Sequence, residues 1–170
     1  AKEKVRTGAL GDVTLVSSRA FMNRLVAIDN YKRTDDPKSI SPMVISGTHA
    51  LDVCMWYLEK KTPVECYARS IDKVLGPLYQ GIDATAGMIM MSDGCVYHLN
   101  ISWALPVTWP GAVYSLEVGI VGTDGVLTID DTHRDMVLAV SKPQAEGYAP
   151  DETRLVDFLG SYPPGDMALG

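Results

Sequence analysis

The sequence contains one long amphipathic helix pattern among many short strand patterns. Over residues 44–61, apolar side chains recur at the three- and four-residue spacing of a helix and predict one buried stripe. That stripe consists of Leu51, Cys54, Met55 and Leu58. Pro63 ends the pattern, so we expect the helix to span about residues 46–61. A single such helix among strands constrains the chain to packing the stripe against a sheet.

Strand patterns account for most of the remaining sequence. They lie at residues 11–22, 63–74, 82–91, 95–105, 113–121, 125–129, 136–142 and 154–158. Two hairpins are predicted, one around Ser92-Asp93-Gly94 and one through Thr123-Asp124-Gly125. Residues 23–40 are polar and turn-rich and are predicted to form a long loop. We therefore expect an α+β fold, in which a mainly antiparallel open sheet carries the helix on one face.

Charge and composition exclude several classes of function. The 170-residue chain has a formal net charge of −6, which argues against the basic face that nucleic-acid binding requires. No run approaches the roughly 18 apolar residues of a membrane span, and no signal peptide opens the chain. Cys54, Cys66 and Cys95 lack the spacing of a disulfide framework or a zinc site. We therefore expect no metal, no membrane contact and a cytoplasmic location.

The two ends of the chain predict that it is one domain of a longer protein. The first residues, AKEKVRTG, are typical of the last turns of a helix, with Gly8 available as its left-handed cap. A helix so short is marginal alone, so we expect it to begin upstream of Ala1. Residues 160–170 have the composition of a loop and close no structural element. We interpret residues 1–170 as a single domain.

His49 occupies the position that best suits catalysis. It is predicted to lie in the opening turn of the helix, where backbone N–H groups are unpaired and the helix dipole is positive. Such an environment favours a neutral imidazole, which is suited to general acid/base chemistry near neutral pH. The helix side opposite the apolar stripe carries His49, Asp52, Val53 and Trp56. The alternative is a histidine that packs against its neighbours and carries no chemistry.

Two glycine- and histidine-containing segments have simpler explanations than a ligand site. GIVGTDG, at residues 119–125, has the spacing G-x-x-G-x-x-G, but a strand follows where a dinucleotide loop requires a helix. We therefore predict a hairpin turn there and no phosphate site. His133 lies in a charged turn without convergent metal ligands, and we predict only solvation for it.

The segment CVYHLNISW predicts a strand with two different faces. Tyr97, Leu99, Ile101 and Trp103 line one face, and His98, Asn100 and Ser102 line the other. The polar face is either solvated or in contact with another subunit. In the predicted loop, Tyr31, Lys32 and Arg33 carry donors that suit a polyol or a sugar carboxylate, and the alternative is a solvated loop.

Four stretches resemble one protein family in the same order. GTHALDVCMWYL, in which Asp follows His by three residues, resembles the signature helix of the glucose–fructose oxidoreductase/inositol dehydrogenase family (Gfo/Idh/MocA) of NAD(P)-dependent oxidoreductases. VRTGALGDVTLVSSR resembles the approach to the first strand of that family's C-terminal domain. IDATAGMIMMSDGCVYHLNISWALP and YSLEVGIVGTDGVLTIDD resemble its central and later hairpins. Together the four stretches span about residues 5–131.

The resemblance implies a substrate and oligomerisation domain. Family members carry a dinucleotide-binding domain before this region, and that domain is missing from residues 1–170. The implied reaction transfers hydride between NAD or NADP, bound mainly by the absent domain, and a sugar, inositol or related polyol. The implied assembly is a homo-oligomer, a dimer or tetramer, formed through the open sheet face. The isolated chain is expected to be inactive and to bind no cofactor.

The resemblance also suggests roles for individual residues. It assigns His49 to proton transfer or hydroxyl positioning, and it places the segment before the signature helix along the substrate cleft. Tyr31, Lys32, Arg33 and Ser46 are the substrate-binding candidates there. The competing hypothesis is a non-catalytic binding or assembly domain that shares only the fold.

Ile45 departs from the family's commoner pattern, which has Asp four residues before the histidine. Isoleucine neither orients an imidazole nor accepts a proton. Ser46 is a weak base and, as the next residue, points elsewhere. Either another group orients His49, or the substrate differs, or the enzyme is a divergent member with little dehydrogenase activity.

Overall fold

A computed structural model describes residues 1–106, 116–130, 135–140 and 152–157, the last two ranges as backbone only. Along the chain, the helical elements are α1 (Lys2–Arg6), α2 (Arg24–Lys32), a 3₁₀ turn (Pro37–Ser39), a π turn (Met43–Gly47), α3 (Thr48–Tyr57) and α4 (Gly76–Tyr79). The strands are β1 (Val13–Asn23), β2 (Pro63–Ile71), β3 (Ala84–Met91), β4 (Val96–Leu105), β5 (Leu116–Gly122), β6 (Gly125–Asp130), β7 (Asp135–Val140) and β8 (Glu152–Asp157). His133 and residues 160–170, for which a charged turn and a loop were predicted, lie outside the described residues.

The strands form one eight-stranded sheet in the order β2-β3-β4-β1-β5-β6-β7-β8. Every neighbouring pair is antiparallel except β1 with β4. A parallel pair needs a long crossover, and here the chain between β1 and β4 contains α2, α3, β2 and β3. The predicted α+β fold with a mainly antiparallel sheet is therefore confirmed.

The helices lie on one face of the sheet because strand residues alternate between apolar and polar. On β4, Tyr97, Leu99, Ile101 and Trp103 are buried. His98, on the other face of that strand, is exposed. The helix α3 covers the apolar face with Ala50 and Cys54, and Leu58, directly after the helix, joins them; all three are buried. The opposite face, which we call the open face, is covered by no described element, and the predicted division of β4 into two faces is confirmed.

One predicted turn and one predicted helix cap are confirmed by their backbone conformation. Gly94, in the turn between β3 and β4, has φ of 88°, a left-handed conformation that glycine adopts without strain. Gly8, directly after α1 and its cap residue Thr7, has φ of 73°. The terminal helix was thus predicted correctly over the residues that the structure describes.

The prediction of a long loop at residues 23–40 was wrong for its first half, which forms α2. The Asn23 side chain accepts a hydrogen bond from the Leu25 backbone N–H (2.9 Å) and so caps the helix. Ala27 and Tyr31, four residues apart, are its buried positions. Because only two positions face the core, the apolar periodicity is too weak to predict this helix from the sequence.

The predicted start of the long helix was also wrong. The helical backbone begins in the π turn, and Gly47 has helical angles (φ −65°, ψ −31°). The cap is Ser41, whose Oγ accepts from Val44 N–H (3.1 Å), with Pro42 following it. His49 therefore lies more than one turn inside the helical segment. The orphan N–H groups expected beside it belong to the residues after Ser41 instead.

A helical segment that begins after Ser41 predicts that removing the Ser41 hydroxyl destabilises the protein more than removing the Thr48 hydroxyl. Ser41→Ala removes a cap and is expected to lower the free energy of unfolding by about 1 kcal/mol. Thr48→Ala removes only a hydroxyl that bonds back to the carbonyls of Val44 and Ile45, and it is expected to change that energy by less than about 0.5 kcal/mol. Urea denaturation of the two variants measures both. A larger loss for Thr48→Ala would place the helix start at the π–α junction.

Candidate functional site

The segment before His49 is attached to the sheet by a buried hydrogen bond. The Trp103 indole Nε1–H, on β4, donates to Ser46 Oγ at 2.8 Å. Trp103 is fully buried and Ser46 is 3% exposed. Ser46 Oγ also lies 3.4 Å from the sulfur of Met22 on β1. Because an indole N–H buried without a partner is costly, this pair fixes the π turn over the junction of β1 and β4.

A second buried contact holds the next turn of the helix. The Tyr97 hydroxyl of β4 donates to the Ala50 carbonyl (3.3 Å) and lies 2.7 Å from Ser18 Oγ on β1, from which it accepts. Burial raises the pKa of Tyr97 well above its usual range, and burial likewise raises the pKa of the neighbouring Cys54 thiol. Both groups stay neutral near physiological pH, so their role here is to hold α3.

His49 faces solvent between these two attachment points. It is exposed, and among the described residues it has no hydrogen-bond or ionic partner. Asp52 and Trp56 are exposed on the same helix, whereas Ala50 and Cys54 are buried. Of the predicted stripe, Cys54 and Leu58 are buried, and Leu51 and Met55 are half-buried against the core, so its separation from the side carrying His49 is confirmed. The buried Ala50 was not part of that prediction. An imidazole presented in this way is free to accept or donate a proton to a bound molecule.

Ile45 belongs to the packing of the helix rather than to the polar side. It is half-buried and packs against the hydrophobic core. Its neighbour Val44 is 57% exposed. The residue at the position of the family's Asp thus contributes apolar contacts, and no described residue replaces that Asp as a partner of His49.

The structure separates the substrate-binding candidates of α2. Tyr31 is 4% exposed, and its hydroxyl donates to the Ile82 carbonyl (3.1 Å) and accepts from the Ile82 N–H (3.0 Å). Its ring packs edge-on against Trp103, with centroids 6.0 Å apart. Lys32 and Arg33 are exposed, and Arg33 pairs with Asp29 at 2.8 Å. Of these three candidates, Lys32 and Arg33 present donors at the surface and Tyr31 does not.

Trp103 is the residue that links the candidates, and it was not singled out from the sequence. Its indole N–H bonds Ser46 and its ring contacts Tyr31, so two of the predicted site residues meet on it below the surface. The signal was present: an indole on the predicted buried face of β4 needs an acceptor. Which acceptor it finds depends on the crossover between β1 and β4, which the sequence does not specify.

The glycines at residues 119–125 serve strand packing. Residues on both sides of the turn belong to β5 and β6, as the predicted hairpin requires. The turn meets the segment before β1, since Asp124 N–H donates to the Leu10 carbonyl (2.9 Å) and Asp12 N–H to Thr123 Oγ1 (3.1 Å). A Cβ at Gly122 would collide with the Leu10 carbonyl. These residues therefore do not fit the phosphates of a dinucleotide.

A separate cleft of about 220 Å³ lies beside α1 and the end of α3. Its rim carries ion pairs between Lys2 and Glu59 (2.7 Å) and between Lys61 and Asp93. His49 does not line it.

Over the described residues, no three His, Cys, Asp or Glu side chains are grouped to hold a metal ion, and no helix is long and apolar enough to cross a membrane.

Comparison with known proteins identifies the family of this chain. The family model described as the GFO/IDH/MocA C-terminal domain matches residues 1–128. The chain belongs to the GFO/IDH/MocA family. The resemblance of the four stretches is thereby confirmed. No curated protein matches the sequence.

Solved structures share the fold of this GFO/IDH/MocA domain. An inositol dehydrogenase homolog from Azotobacter vinelandii, complexed with NADH and myo-inositol, matches with a TM-score of 0.69 at 13% identity. The match covers 92% of this chain and 38% of that protein's chain. An oxidoreductase from Agrobacterium radiobacter, complexed with NAD⁺, L-tartaric acid and magnesium, has a TM-score of 0.68 at 17% identity, covering 92% and 41%. A levoglucosan dehydrogenase complexed with NADH and L-sorbose has 0.65 at 17%, covering 92% and 42%. The chain spans about two fifths of their length.

The buried Tyr97 hydroxyl predicts how stability depends on pH. Its folded pKa is raised above the unfolded value near 10, so both states keep the proton below that pH. Above it the unfolded chain loses the proton first, and the free energy of unfolding falls by up to about 1.4 kcal/mol per pH unit from this group. Tyr97→Phe should flatten the fall between pH 10 and 11 in urea titrations. Tyr67→Phe, at a 57% exposed tyrosine, should keep the native slope, and equal slopes for both variants would contradict this assignment.

Proposed function

We propose that residues 1–170 form the substrate and oligomerisation domain of an NAD(P)-dependent oxidoreductase that acts on a sugar, inositol or related polyol. Family membership supports the oxidoreductase class. Relatives whose structures contain NADH with myo-inositol or L-sorbose support the substrate class. The observation that carries the proposal is the exposed, unpartnered His49 on a helix fixed by Trp103 and Tyr97.

In the proposed reaction a bound nicotinamide would accept or supply hydride at the carbinol carbon, and the role of His49 is to accept or return the hydroxyl proton. On oxidation, the imidazole accepts that proton as the carbonyl forms. On reduction, the protonated imidazole returns it. The chain spans about two fifths of relatives whose structures contain NAD⁺ or NADH, and its segment at residues 119–125 does not fit dinucleotide phosphates, so we assign the cofactor, NAD or NADP, mainly to a dinucleotide-binding domain outside residues 1–170.

The proposed substrate contacts are divided between surface and interior. Lys32 and Arg33 are exposed donors that suit hydroxyl or carboxylate groups. Tyr31 and Ser46 are buried, and their polar atoms are already bonded to Ile82 and Trp103. Their proposed role is to hold α2 and the π turn in place beneath the substrate.

The open face supports the proposal of a homo-oligomer. Its central row, set by strand register, contains Met88, His98, Ser17 and Gly119. Leu15, Met88 and Val121 are each 37% to 38% exposed, so polar and apolar groups are mixed as in subunit contacts. The free state of all three cysteines supports a reducing compartment, the cytoplasm.

A second function is favoured by Ile45. If the loss of the family's Asp has removed proton transfer, the domain acts only in binding or assembly, with the fold retained. The two functions differ in whether His49 matters to turnover. They do not differ in stability or assembly.

Replacement of His49 separates them. In the full-length protein, His49→Ala is expected to lower kcat by about 10²–10⁴-fold, because a general acid/base is lost, while nucleotide affinity changes little. His49→Asn should retain part of the rate if positioning dominates. Thr48→Ala, at the exposed neighbouring residue, is the matched control and should keep the native kcat. Steady-state kinetics and nucleotide titration measure both parameters. An unchanged kcat for His49→Ala on the true substrate would leave the assembly function.

Self-association through the open face is tested at Asn100. Asn100→Arg adds a second cation beside Arg19, its partner in the β1–β4 register, and is expected to weaken self-association by repulsion between facing copies. Gln80→Arg makes the same chemical change at an exposed site off the sheet and should have no effect. Sedimentation equilibrium at several concentrations measures both. Equal association of the two variants would move the contact away from this face.

A further inference from the structure

The strand β2 forms an exposed edge of the sheet. It is the first strand in the sheet order, and β3 is its sole neighbour in the described part of the chain. All nine of its residues are exposed, including Val64 at 64%, Tyr67 at 57% and Ile71 at 50%. The backbone N–H and C=O groups on its outer side are therefore open to pairing with another strand.

The regular part of this edge carries few of the features that prevent pairing, and its two charged side chains, Glu65 and Arg69, have opposite signs. Proline and lysine commonly block exposed edges, but between Val64 and Ile71 β2 contains neither. Its only irregularity is a register shift between Pro63 and Glu65, at the end of the strand. The remaining residues run in continuous register with β3 from Glu65 to Ile71. A regular, unblocked edge of this length suits the addition of a strand.

The charges on β2 are complementary to those of a second copy of β2 that runs in the opposite direction. Glu65 and Arg69 lie two residues before and after Tyr67 and have opposite charges. All three side chains share the open face, since they pair with Met90, Ala86 and Met88 of β3. In an antiparallel pair centred on Tyr67, Glu65 of each copy stands opposite Arg69 of the other. A parallel pair in register would instead place like charges opposite each other.

From this we propose that two copies of the chain join through their β2 strands, antiparallel, about a two-fold axis at Tyr67. The interface contains two Glu65–Arg69 pairs and one Tyr67–Tyr67 pair. The Arg69 cation lies 4.9 Å over the ring of Tyr67 in its own chain, which places it next to the Tyr67–Tyr67 pair. The two sheets become one continuous sheet. The contact lies in the plane of the sheet and is distinct from stacking of open faces, so it stands independently of the proposed function.

The contact is expected to be weak. One strand pair falls at the small end of specific interfaces, below about 1,200 Å² in total. We therefore expect a concentration-dependent dimer with a dissociation constant no tighter than about 1 μM. Charge variants of such a contact are expected to change its affinity measurably, because like charges placed directly opposite each other on paired strands are destabilising.

Charge reversal and mixing test this pairing. Glu65→Arg leaves two positive charges on the edge and Arg69→Glu leaves two negative charges, so each variant is expected to self-associate at least about tenfold more weakly than the native chain. An equimolar mixture of the two variants should restore association, as a heterodimer, because each positive charge then meets a negative one. Sedimentation equilibrium with one variant fluorescently labelled measures both, in an Asn100→Arg background that suppresses stacking of open faces. Lys73→Glu, an equal charge change just outside the strand, is the control and should neither weaken self-association nor pair selectively.

The same experiment contains the outcomes that would overturn the proposal. Native self-association by both single variants, or a mixture that stays monomeric while each chain is folded by circular dichroism, contradicts the register. Should one single variant fail to fold, the chain carrying both Glu65→Arg and Arg69→Glu has the swapped pair in cis and must form a homodimer. If Asn100→Arg alone abolished association, so that none remained that depends on β2, all contact between copies would be assigned to the open face.

Discussion

The hydrogen bond from the Trp103 indole to Ser46 is the interaction on which the candidate site depends. It is formed between fully or nearly fully buried groups, so its loss leaves a polar atom without a partner and is costly. The bond fixes the π turn, and the Tyr97 contact with Ala50 fixes the turn after it. His49 lies between the two and is directed to solvent because its neighbours are directed to the sheet. The polar interior thus determines the placement of an exposed group.

Alternation along β1 and β4 lets one sheet serve two purposes. The apolar face carries α3 and the proposed catalytic residue, and the open face remains available for other subunits. The parallel pairing of these two strands forces the intervening chain to cross over, which brings α2 and α3 to the same face. Proposed substrate contacts and His49 therefore originate from one crossover, on the side opposite the open face.

Periodicity predicted the elements with strong patterns and missed those with weak ones. The strands, both hairpins and the buried stripe of α3 follow from alternation, Asp-Gly turns and helical spacing. Helix α2 was missed because only Ala27 and Tyr31 face the core. The helical segment begins earlier than its apolar periodicity indicates, because its start is marked by Ser41-Pro42, a cap followed by a first-turn proline, and not by an apolar stripe. The Trp103–Ser46 and Tyr31–Ile82 bonds join distant segments, and no local pattern specifies such partners.

Amide hydrogen exchange in a Trp103→Phe variant tests most directly whether this bond holds the site. The substitution keeps an aromatic ring in the core and removes the indole N–H. The account predicts that protection falls in the π turn and the first turn of α3, around Ser46 and His49, and that it stays near native values in β5 and β6. Uniform loss of protection across the chain, or native protection around Ser46, would contradict the claim that the Trp103 bond positions His49.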